Sequence, residues 1–524
     1  MEPILPEEMR ALDENAEFLG ISRLQLMENA GKGVVDRMLK RMDLRGKKIL
    51  ILAYTGNKGG DGFVVARHLA SMGVPVSVVL LAKPEQISTG EATTNFCILE
   101  RLRSSVVLSI APMPSDVMLL EQAIRSADVL VDAMIGTGAK GELREPLSTA
   151  VSLSNSARSF RVAIDVPTGM DPDSGEVRGA AFKADLTVTH HRPKTGLLKP
   201  KAKRFVGDLE VVNIGIPPEA EIYTGPGDLR LAVRPRGKFT HKGENGRLLI
   251  IGGSSRYVGA PSLAALAALR VGIDLAVVAV PSSIAPTVRK YSPNLIVVPL
   301  PSEGILDRRC IPAIKEELKS ADAVVMGMGL GLDQETRVAV KEITEHLKSS
   351  GIPAVIDADA LKALGEYHGA LRSANAVVTP HSGEFFALTG EKLPKETEGG
   401  WRDRLSTVMK WASKLNVTFL LKGRYDIITD GAKYKIKTIG NPGLTAGGTG
   451  DVLAGIVGGF MSRGVSPYRS AVAASFLNSH AGDILAESMG YHYTARDLVD
   501  AIPIVLKEFD LRKQASAKNI AQKL

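Results

Sequence analysis

NPGLTAGGTGDVLAG (residues 441–455) places glycines around a single acidic side chain, Asp451, at a point where an apolar helical stretch begins. Glycine weakens helices and strands, so a cluster of it before a helix needs a specific reason. One reason is that bare N–H groups at a helix N-terminus can approach a phosphate. An acid beside such an anion hole would repel phosphate, so its presence there indicates a role. One such role is to take the proton of the hydroxyl group that accepts the phosphoryl group. The stretch therefore predicts a phosphoryl-transfer site, with a flexible turn as the alternative.

Short apolar runs alternate with helix-period segments on the N-terminal side of this stretch. They include GRLLIIGG (246–253) and ADAVVMGMG (321–329), and the same alternation occurs earlier in KKILILAY (47–54) and FRVAIDVP (160–167). Continuous apolar strands followed by helices are typical of parallel sheets covered on both faces. We therefore expect an α/β protein.

A stretch without sustained periodicity separates the two series of strands. It has proline or glycine at 217, 218, 225, 226, 227, 235 and 237. This composition predicts a domain boundary, with an N-terminal domain at 1–220, a linker at 221–237 and a C-terminal domain at 238–524.

Composition argues against three classes: nucleic-acid-binding proteins, disulfide-rich secreted proteins and membrane proteins. The formal net charge is +8, but Lys and Arg are scattered among acids, which argues against a nucleic-acid partner. The two cysteines, Cys97 and Cys310, cannot form a disulfide framework, which fits a reducing compartment. The N-terminus lacks the features of a signal peptide, and the apolar runs are too short to span a membrane. We expect a cytoplasmic protein without a membrane partner.

Three glycine- and acid-containing stretches follow strands in the N-terminal half. In AYTGNKGGDGFVVARHLA (53–70), we expect a tight turn, with Asp61 capping the helix that follows. IGTGAKGE (135–142) contains G-x-G-x-x-G, but a dinucleotide-binding fingerprint should lie near the first strand of its domain, and this stretch lies well after it. We therefore interpret the stretch as a phosphate-binding loop. In AIDVPTGMDPDSG (163–175), Asp165 is a candidate general base, with a turn-initiating Asp as the alternative. Asp132 and Thr168 offer oxygen ligands for a hard cation.

The motifs LMENAGKGV, GNKGGDG, DAMIGTG and IDVPTGMDPDSG, in this order, resemble the epimerase domain of bifunctional NAD(P)H-hydrate repair enzymes over residues 7–215. The resemblance implies a Rossmann-like doubly wound domain with Asp165 as its catalytic residue. It also implies a K⁺ site at Asp132, Thr168 and position 58. The family usually has Asn at that position, and Lys58 either takes the place of the cation or turns toward a substrate phosphate. The implied substrate contacts, besides Asp165, are Asn57, Lys58, Gly59, Gly60, Asp61, Gly136, Thr137, Gly138, Ala139, Lys140, Gly141 and Glu142.

The C-terminal motifs GGSSRYVGAPSLAALAALRVG, GMGLG, DADAL, TPHSGE and the opening stretch resemble the ADP-dependent NAD(P)H-hydrate dehydratase domain over residues 236–510. The resemblance implies a ribokinase-like α/β domain, with Mg²⁺ and with ADP as phosphoryl donor. Hydrate contacts would fall on Ala260, Gly329, His381 and Asp451, although His381 on its own also suits a buried, hydrogen-bonded histidine. The implied nucleotide contacts are Lys422, Gly423, Arg424, Tyr425, Asp426 and Gly450.

Together the two resemblances imply repair of hydrated NADH or NADPH. The N-terminal domain would interconvert the R and S epimers, and the C-terminal domain would dehydrate the S form, with ADP giving AMP and phosphate. Two alternatives stay open: the C-terminal half could be a small-molecule kinase, and the N-terminal half a non-catalytic nucleotide- or RNA-binding module. The preference for ADP or ATP, and for NADH or NADPH hydrate, also stays open. The resemblance further implies a homo-oligomer.

Overall fold

The computed structural model describes residues 2–138 and 141–521, with side chains described as far as Phe509. The chain divides into two compact units, one ending at Pro218 and the other beginning at Glu219. None of the described helices has the length and apolar character that a membrane crossing requires.

The N-terminal unit is built on a seven-stranded sheet with the order β3-β2-β1-β4-β5-β6-β7. Every neighbouring pair in it is parallel. The strands are β1 (Ile49–Ala53), β2 (Val76–Leu80), β3 (Val106–Ile110), β4 (Val129–Ala133), β5 (Phe160–Ile164), β6 (Leu186–His190) and β7 (Asp208–Val212). The central strands β1 and β4 are buried at all positions, as expected for a sheet covered on both faces.

Helices connect these strands. They are α1 (Pro6–Phe18), α2 (Arg23–Arg41), α3 (Asn57–Ser71), α4 (Gly90–Arg101), α5 (Pro114–Leu119), α6 (Glu121–Ser126), α7 (Leu147–Ser156) and α8 (Lys203–Val206), with 3₁₀ helices at Pro84–Gln86, Thr195–Leu198 and Pro200–Ala202. The strand order reverses between β1 and β4, and open α/β sheets bind ligands beyond the carboxyl ends of strands at such a point.

The C-terminal unit is built on a nine-stranded sheet with the order β10-β9-β8-β11-β12-β13-β14-β15-β16, in which the last two pairs are antiparallel. Its strands are β8 (Arg247–Ile251), β9 (Leu275–Pro281), β10 (Leu295–Leu300), β11 (Ala323–Met326), β12 (Ala354–Ile356), β13 (Ala376–Val378), β14 (Thr418–Leu421), β15 (Asp426–Thr429) and β16 (Tyr434–Lys437). Along β8, Leu248 and Ile250 belong to one hydrophobic cluster, and Leu249 and Ile251 to another. The alternation puts a core on each face of the sheet, and the α/β prediction is confirmed.

The helices from the unit boundary onward are α9 (Pro218–Ile222), α10 (Pro226–Ala232), α11 (Ala260–Val271), α12 (Ala285–Tyr291), α13 (Ile311–Leu318), α14 (Gln334–Ser350), α15 (Ala358–Ala363), α16 (Ser382–Thr389), α17 (Trp401–Leu415), α18 (Thr449–Ser462), α19 (Pro467–Met489) and α20 (Ala495–Ala521). Three 3₁₀ helices, Arg308–Cys310, Gly365–Leu371 and Pro442–Thr445, complete the unit.

The segment 221–237, predicted to be a linker, is instead largely part of the C-terminal unit. It contains the end of α9 and all of α10, and Leu229 and Ala232 are buried in a hydrophobic cluster of that unit. The Asp228 carboxylate lies 2.9 Å from the Lys435 ammonium. Helices of five to seven residues, such as α9 and α10, are too short to produce a visible periodicity in the sequence.

Candidate active sites

Asp165 is the first residue after β5 and forms a buried ion pair with Lys194. The Lys194 ammonium donates to Asp165 Oδ1, which also accepts from Thr189 Oγ1 at 3.0 Å and from the His190 N–H at 3.3 Å. The Lys194 side chain is 1% exposed and that of Asp165 is 15% exposed. The backbone of Asp165 is left-handed, with φ 60°, a conformation that non-glycine residues rarely adopt and that clusters at functional sites.

The pKa values of two carboxyl groups in this region are shifted in opposite directions. Burial acts to raise the pKa of Asp165, but the charge and hydrogen bond of Lys194, together with the hydrogen bond from the His190 N–H, hold that pKa below its ordinary value. Burial, followed by the charges of Asp165 and Asp13, raises the pKa of Asp61 well above its ordinary value. The environments of Asp165 and Asp61 therefore shift their pKa values apart, which is a common basis for acid–base chemistry.

His190 lies between these groups. Its Nδ1 is 4.0 Å from Asp61 Oδ2, and burial lowers its pKa to about 4, so the ring is neutral near pH 7. Burial also raises the pKa of Asp13, on α1, to about 7, against the opposing charge of Lys194. Asp13 and Asp165 influence each other through their charges, so α1 contributes to the same region.

Asp61 does not cap α3 as expected. The helix begins at Asn57 with Gly56 as N-cap, so Asp61 is its fifth residue and is buried. Gly59 and Gly60 are also buried, and a Cβ on Gly59 would lie 2.0 Å from the Tyr54 carbonyl oxygen. Close packing of α3 therefore accounts for these glycines, whereas Asn57 is exposed and available to a ligand.

The Lys58 side chain turns inward from α3. Its Nζ lies 2.8 Å from Asp132 Oδ2, 2.8 Å from the Val166 carbonyl oxygen and 3.1 Å from Thr168 Oγ1. The Ile135 carbonyl oxygen is 3.3 Å away. In the structure the Lys58 ammonium therefore takes the place expected for the cation, next to the predicted ligands Asp132 and Thr168.

The loop that follows β4 brings backbone close to this region. A Cβ on Gly136 would be 3.6 Å from Lys58 Cδ, and the Thr137 carbonyl accepts from Arg10 Nη2 at 3.2 Å. Gly141 has a left-handed φ of 97°. Gly138 and Glu142 are exposed, while Ala139 and Lys140 lie outside the described residues.

Loops from neighbouring strands also meet in the C-terminal unit. The Gly253 N–H after β8 donates to the Met328 carbonyl after β11 at 2.8 Å, and Lys422 N–H donates to the Pro380 carbonyl at 2.7 Å. Gly329 has φ 65°, and a Cβ there would be 2.6 Å from Tyr257 Cβ, so glycine is required for this approach. Ala260 is half-buried at the start of α11.

The glycine-rich stretch of 441–455 forms the predicted helix start. Gly448 is the N-cap of α18 with φ 94°, and Asp451 is the third residue of the helix. Thr449 Oγ1 donates to the Leu444 carbonyl at 2.6 Å, which ties the turn to the helix. The first N–H groups of an α-helix have no acceptor within it, so those of Gly450 and Asp451 are available to an anion.

Asp451 faces a compact charge cluster. The Lys422 ammonium lies 2.7 Å from Asp357 Oδ1 and 3.7 Å from Glu384 Oε2, and a Cβ on Gly450 would be 3.5 Å from Lys422 Nζ. Burial, then the charge of Asp357, raises the pKa of Asp451 to about 7, against the opposing charge of Lys422. Burial acts to lower the pKa of Lys422, but Asp357 and Glu384 outweigh it and raise that pKa.

His381 is the N-cap of α16. Its Nδ1 accepts from the N–H groups of Gly383 at 2.9 Å and Glu384 at 3.2 Å, and its side chain is 55% exposed. The alternative of a buried histidine is therefore wrong: the ring caps the helix through Nδ1, its Nε2 lies 3.4 Å from Glu384 Oε1, and more than half of the side chain is exposed.

The loop Lys422–Asp426 is held largely by internal contacts. Asp426 is buried and accepts from the Gly423 N–H at 3.0 Å and from Ser475 Oγ at 2.6 Å. The Tyr425 N–H donates to Glu396 Oε1 at 3.0 Å, whereas Arg424 is exposed. A nucleotide would therefore meet this loop through Lys422, Arg424 and main-chain groups rather than through the Asp426 carboxylate.

Sequence reasoning missed several groups that the structure brings into these sites. They are Asp13, His190 and Lys194 in the N-terminal unit and Asp357 and Glu384 in the C-terminal unit. A polar run directly after a strand, HHRPK at 190–194, was the available signal for His190 and Lys194. Among the described residues, no group of three or more His, Cys, Asp or Glu side chains is placed to hold a metal ion.

Comparisons with known proteins cover both units. A family model described as NAD(P)H-hydrate dehydratase matches residues 248–504, and one described as YjeF-related protein N-terminus matches residues 23–196. A bifunctional NAD(P)H-hydrate repair enzyme from Pyrobaculum aerophilum is 44% identical over 97% of this chain and 99% of its own length. One from Archaeoglobus fulgidus is 44% identical over 96% of this chain and 98% of its own.

Solved structures are similar to part of the chain. A crystal structure of an ADP/ATP-dependent NAD(P)H-hydrate dehydratase from Bacillus subtilis, co-crystallised with ATP and Mg²⁺, is 25% identical. The similarity covers 53% of this chain and 96% of that one, with a TM-score of 0.43.

Proposed function

This chain belongs to the family of bifunctional NAD(P)H-hydrate repair enzymes, and we propose how its two units divide the work. The N-terminal unit, up to Pro218, carries the epimerase, which interconverts the R and S hydrates of NADH and NADPH. The C-terminal unit, from Glu219 onward, carries the dehydratase, which returns the S hydrate to the reduced coenzyme. The two sheets support this division, since each has its own strand-order reversal with acids near the strand ends.

In the epimerase, Asp165 and Asp61 are the two acid–base groups. Asp165 stays ionised beside Lys194 and can accept the proton of the C6 hydroxyl as the C6–N1 bond breaks, its electron pair passing to N1 and the C6–O group becoming an aldehyde. N1 then attacks the opposite face of this carbonyl carbon, which closes the ring as the other epimer. The raised pKa of Asp61 favours its protonated form, which can return a proton to the C6 oxygen. Asn57 and the loop from Gly136 to Glu142 contact the nucleotide.

In the dehydratase, Asp451 is the general base. It accepts the proton of the C6 hydroxyl, whose oxygen takes the terminal phosphoryl group of ADP and releases AMP. Phosphate then leaves with the C6–O bonding pair, driven by the lone pair of the ring nitrogen, and loss of a proton restores the reduced ring. Phosphorylation is useful because phosphate leaves far more easily than hydroxide.

The remaining groups bind and orient. The N–H groups at the start of α18 and the Lys422 ammonium hold the phosphates, while Ala260, Gly329 and His381 contact the hydrate. Mg²⁺ bound with the nucleotide would neutralise phosphate charge. Asp357 and Glu384 fit that role, because Mg²⁺ usually takes one or two carboxylates and fills its other positions with phosphate and water. ATP is the alternative donor.

We also propose a cytoplasmic location and a homo-oligomer. The location is supported by the two free cysteines, Cys97 and Cys310. The homo-oligomer rests on family resemblance alone.

The observation that carries the dehydratase proposal is Asp451 at the start of α18, with a pKa of about 7 beside Lys422. The test is recovery of reduced-coenzyme absorbance after adding enzyme, ADP and Mg²⁺ to a mixture of R and S NADPH hydrates. Full recovery of absorbance with stoichiometric AMP and phosphate supports both activities. Recovery of the S fraction alone rules out the proposed epimerase activity. A stable phosphorylated product without recovery would make the C-terminal unit an ordinary kinase.

A further inference from the structure

The Lys58 ammonium is enclosed by oxygen atoms. Its four nearest partners are the Asp132 carboxylate, the carbonyls of Ile135 and Val166 and the Thr168 hydroxyl, at 2.8 to 3.3 Å. The Lys58 side chain is 5% exposed and that of Asp132 is fully buried. Asp132 lies near the end of β4, Ile135 follows β4, and Val166 and Thr168 follow the adjacent strand β5, so the sheet itself fixes the spacing of these donors.

The chemistry of this donor set is that of a hard cation site. Carboxylate, carbonyl and hydroxyl oxygens are the ligands that such ions take from proteins. An ammonium group carries the same single charge as K⁺ and is close to it in size. Lys58 therefore satisfies the donors in the same way as a bound monovalent ion.

The charge balance leaves no room for a second cation. Asp132 supplies the one carboxylate that contacts Lys58, and it also accepts from the Thr168 N–H at 2.8 Å, Thr168 Oγ1 at 2.6 Å and the Met134 N–H at 3.1 Å. Asp165 and Asp61 also attract Lys58 electrostatically, but the ammonium already occupies the oxygen donors. A free ion would have to enter beside this buried positive charge, which is strongly unfavourable in a low dielectric. The residues present therefore do not fit a bound K⁺.

We propose that Lys58 is a covalently attached replacement for the monovalent cation, so that the epimerase half of this protein works without K⁺. The ammonium holds the loops after β4 and β5 in register, and so positions the segment that includes Asp165 and the loop beginning at Gly136. This inference rests on the proposed epimerase activity for its kinetic readout, but its binding readout is independent of that activity.

The first test uses the unmodified protein. Epimerisation rate and melting temperature are measured in KCl and in choline chloride at equal ionic strength. We expect the two salts to give the same rate within about twofold and the same melting temperature. A rate at least tenfold higher in KCl, or K⁺-specific saturable stabilisation, would overturn the proposal.

The second test is Lys58→Asn, which removes the ammonium and supplies an amide oxygen. We expect a variant that is slow and less stable in choline chloride. K⁺ should restore the rate at least fivefold and raise the melting temperature saturably, because a ligand that binds only the folded state stabilises it. Lys32→Asn, at the surface of α2, is the matched control, and its epimerisation rate and melting temperature should be the same in KCl and in choline chloride. A Lys58→Asn variant as active and stable as the parent in both salts would contradict the assigned role.

Dehydration of purified S hydrate serves as an internal control in every sample. If that reaction works but the parent protein shows no epimerisation in any salt, the proposed epimerase fails. The melting comparison then still decides whether Lys58 replaces the ion.

Discussion

The ammonium of Lys194 is paired with the carboxylate of Asp165 in the interior of the N-terminal unit, at the point where the backbone of Asp165 is left-handed. The pairing explains how a buried carboxylate stays ionised and available as a base. The left-handed backbone determines which substitution to use at Asp165, because asparagine tolerates this conformation better than alanine does.

Asp165→Asn should lower the rate of epimerisation by about 10²–10⁴-fold, the usual contribution of a positioned acid or base. Dehydration of the S hydrate should be unchanged, so coenzyme recovery from mixed hydrates should stop at the S fraction. The substitution also leaves the Lys194 charge buried and unpaired, at a cost of about 3–5 kcal/mol in the free energy of unfolding.

The double variant Asp165→Asn/Lys194→Met separates these two effects. Denaturant unfolding should show much of the lost stability restored, because no buried charge remains, while epimerisation stays low. Rapid epimerisation by either variant would exclude Asp165 as the base.

The kcat/KM for dehydration should rise with pH and level off above about 7, because Asp451 must be deprotonated to accept the hydroxyl proton. Asp357→Asn should move the midpoint to lower pH, since the Asp357 charge helps to raise the pKa of Asp451. Rates measured from pH 5 to about 9 with saturating ADP test both statements. A profile that is flat across this range would rule out Asp451 as a base that titrates there.

Asp451→Asn should lower dehydration by about 10²–10⁴-fold and yet increase stability. The pKa of Asp451 is raised by folding, so its ionisation destabilises the folded protein progressively as pH rises from the unfolded value near 4 to about 7. The gain should therefore be largest above pH 7, at most about 4 kcal/mol, and vanish below about pH 4. Denaturant unfolding at several pH values measures it.

Gly450→Ala should weaken ADP binding without weakening the fold. Its added methyl group meets nothing closer than Lys422 Nζ at 3.5 Å, but it occupies space where phosphate would approach. We expect at least a tenfold increase in KM for ADP and a change in stability of about +0.4 to +1 kcal/mol, the usual gain of alanine over glycine in a compatible helix.

Gly448→Ala is the matched contrast on the preceding turn. Its Cβ would lie 2.6 Å from Leu263 Cδ1 on a backbone with φ 94°, so we expect a loss of about 1–3 kcal/mol. Titration with ADP and thermal melting distinguish the two variants. Normal ADP binding by Gly450→Ala would rule out phosphate binding at the start of α18.

His381→Asn keeps a side chain that can cap α16 and removes the exposed imidazole edge. We expect stability within about 0.5 kcal/mol of the parent, because asparagine is a favourable N-cap, and a clear rise in KM for the hydrate. His381→Ala should show the same rise in KM and also lose about 1 kcal/mol of stability. If His381→Asn binds the hydrate normally, His381 is only a cap.

The sequence alone indicated the α/β class because continuous apolar strands such as β1 and β11 are buried on both faces and leave a clear pattern. It also indicated the acid at the end of a strand, Asp165 after β5, and the acid at the start of a helix, Asp451 in α18. It did not indicate Lys194, because the pair with Asp165 joins residues 29 apart and depends on strands β5 and β6 lying side by side. Nor did it decide the direction of the Lys58 side chain, since both orientations suit the same helix position.

Each sheet is completed by strands from its own side of Pro218, and no described strand is exchanged between the two. Neither catalytic half therefore borrows a structural element from the other in order to build its sheet. Joining them in one polypeptide gives them a common translation start, so every ribosome that makes an epimerase also makes a dehydratase. The fusion thus fixes a one-to-one ratio of the two activities at synthesis, and no separate control of gene expression is needed to maintain it.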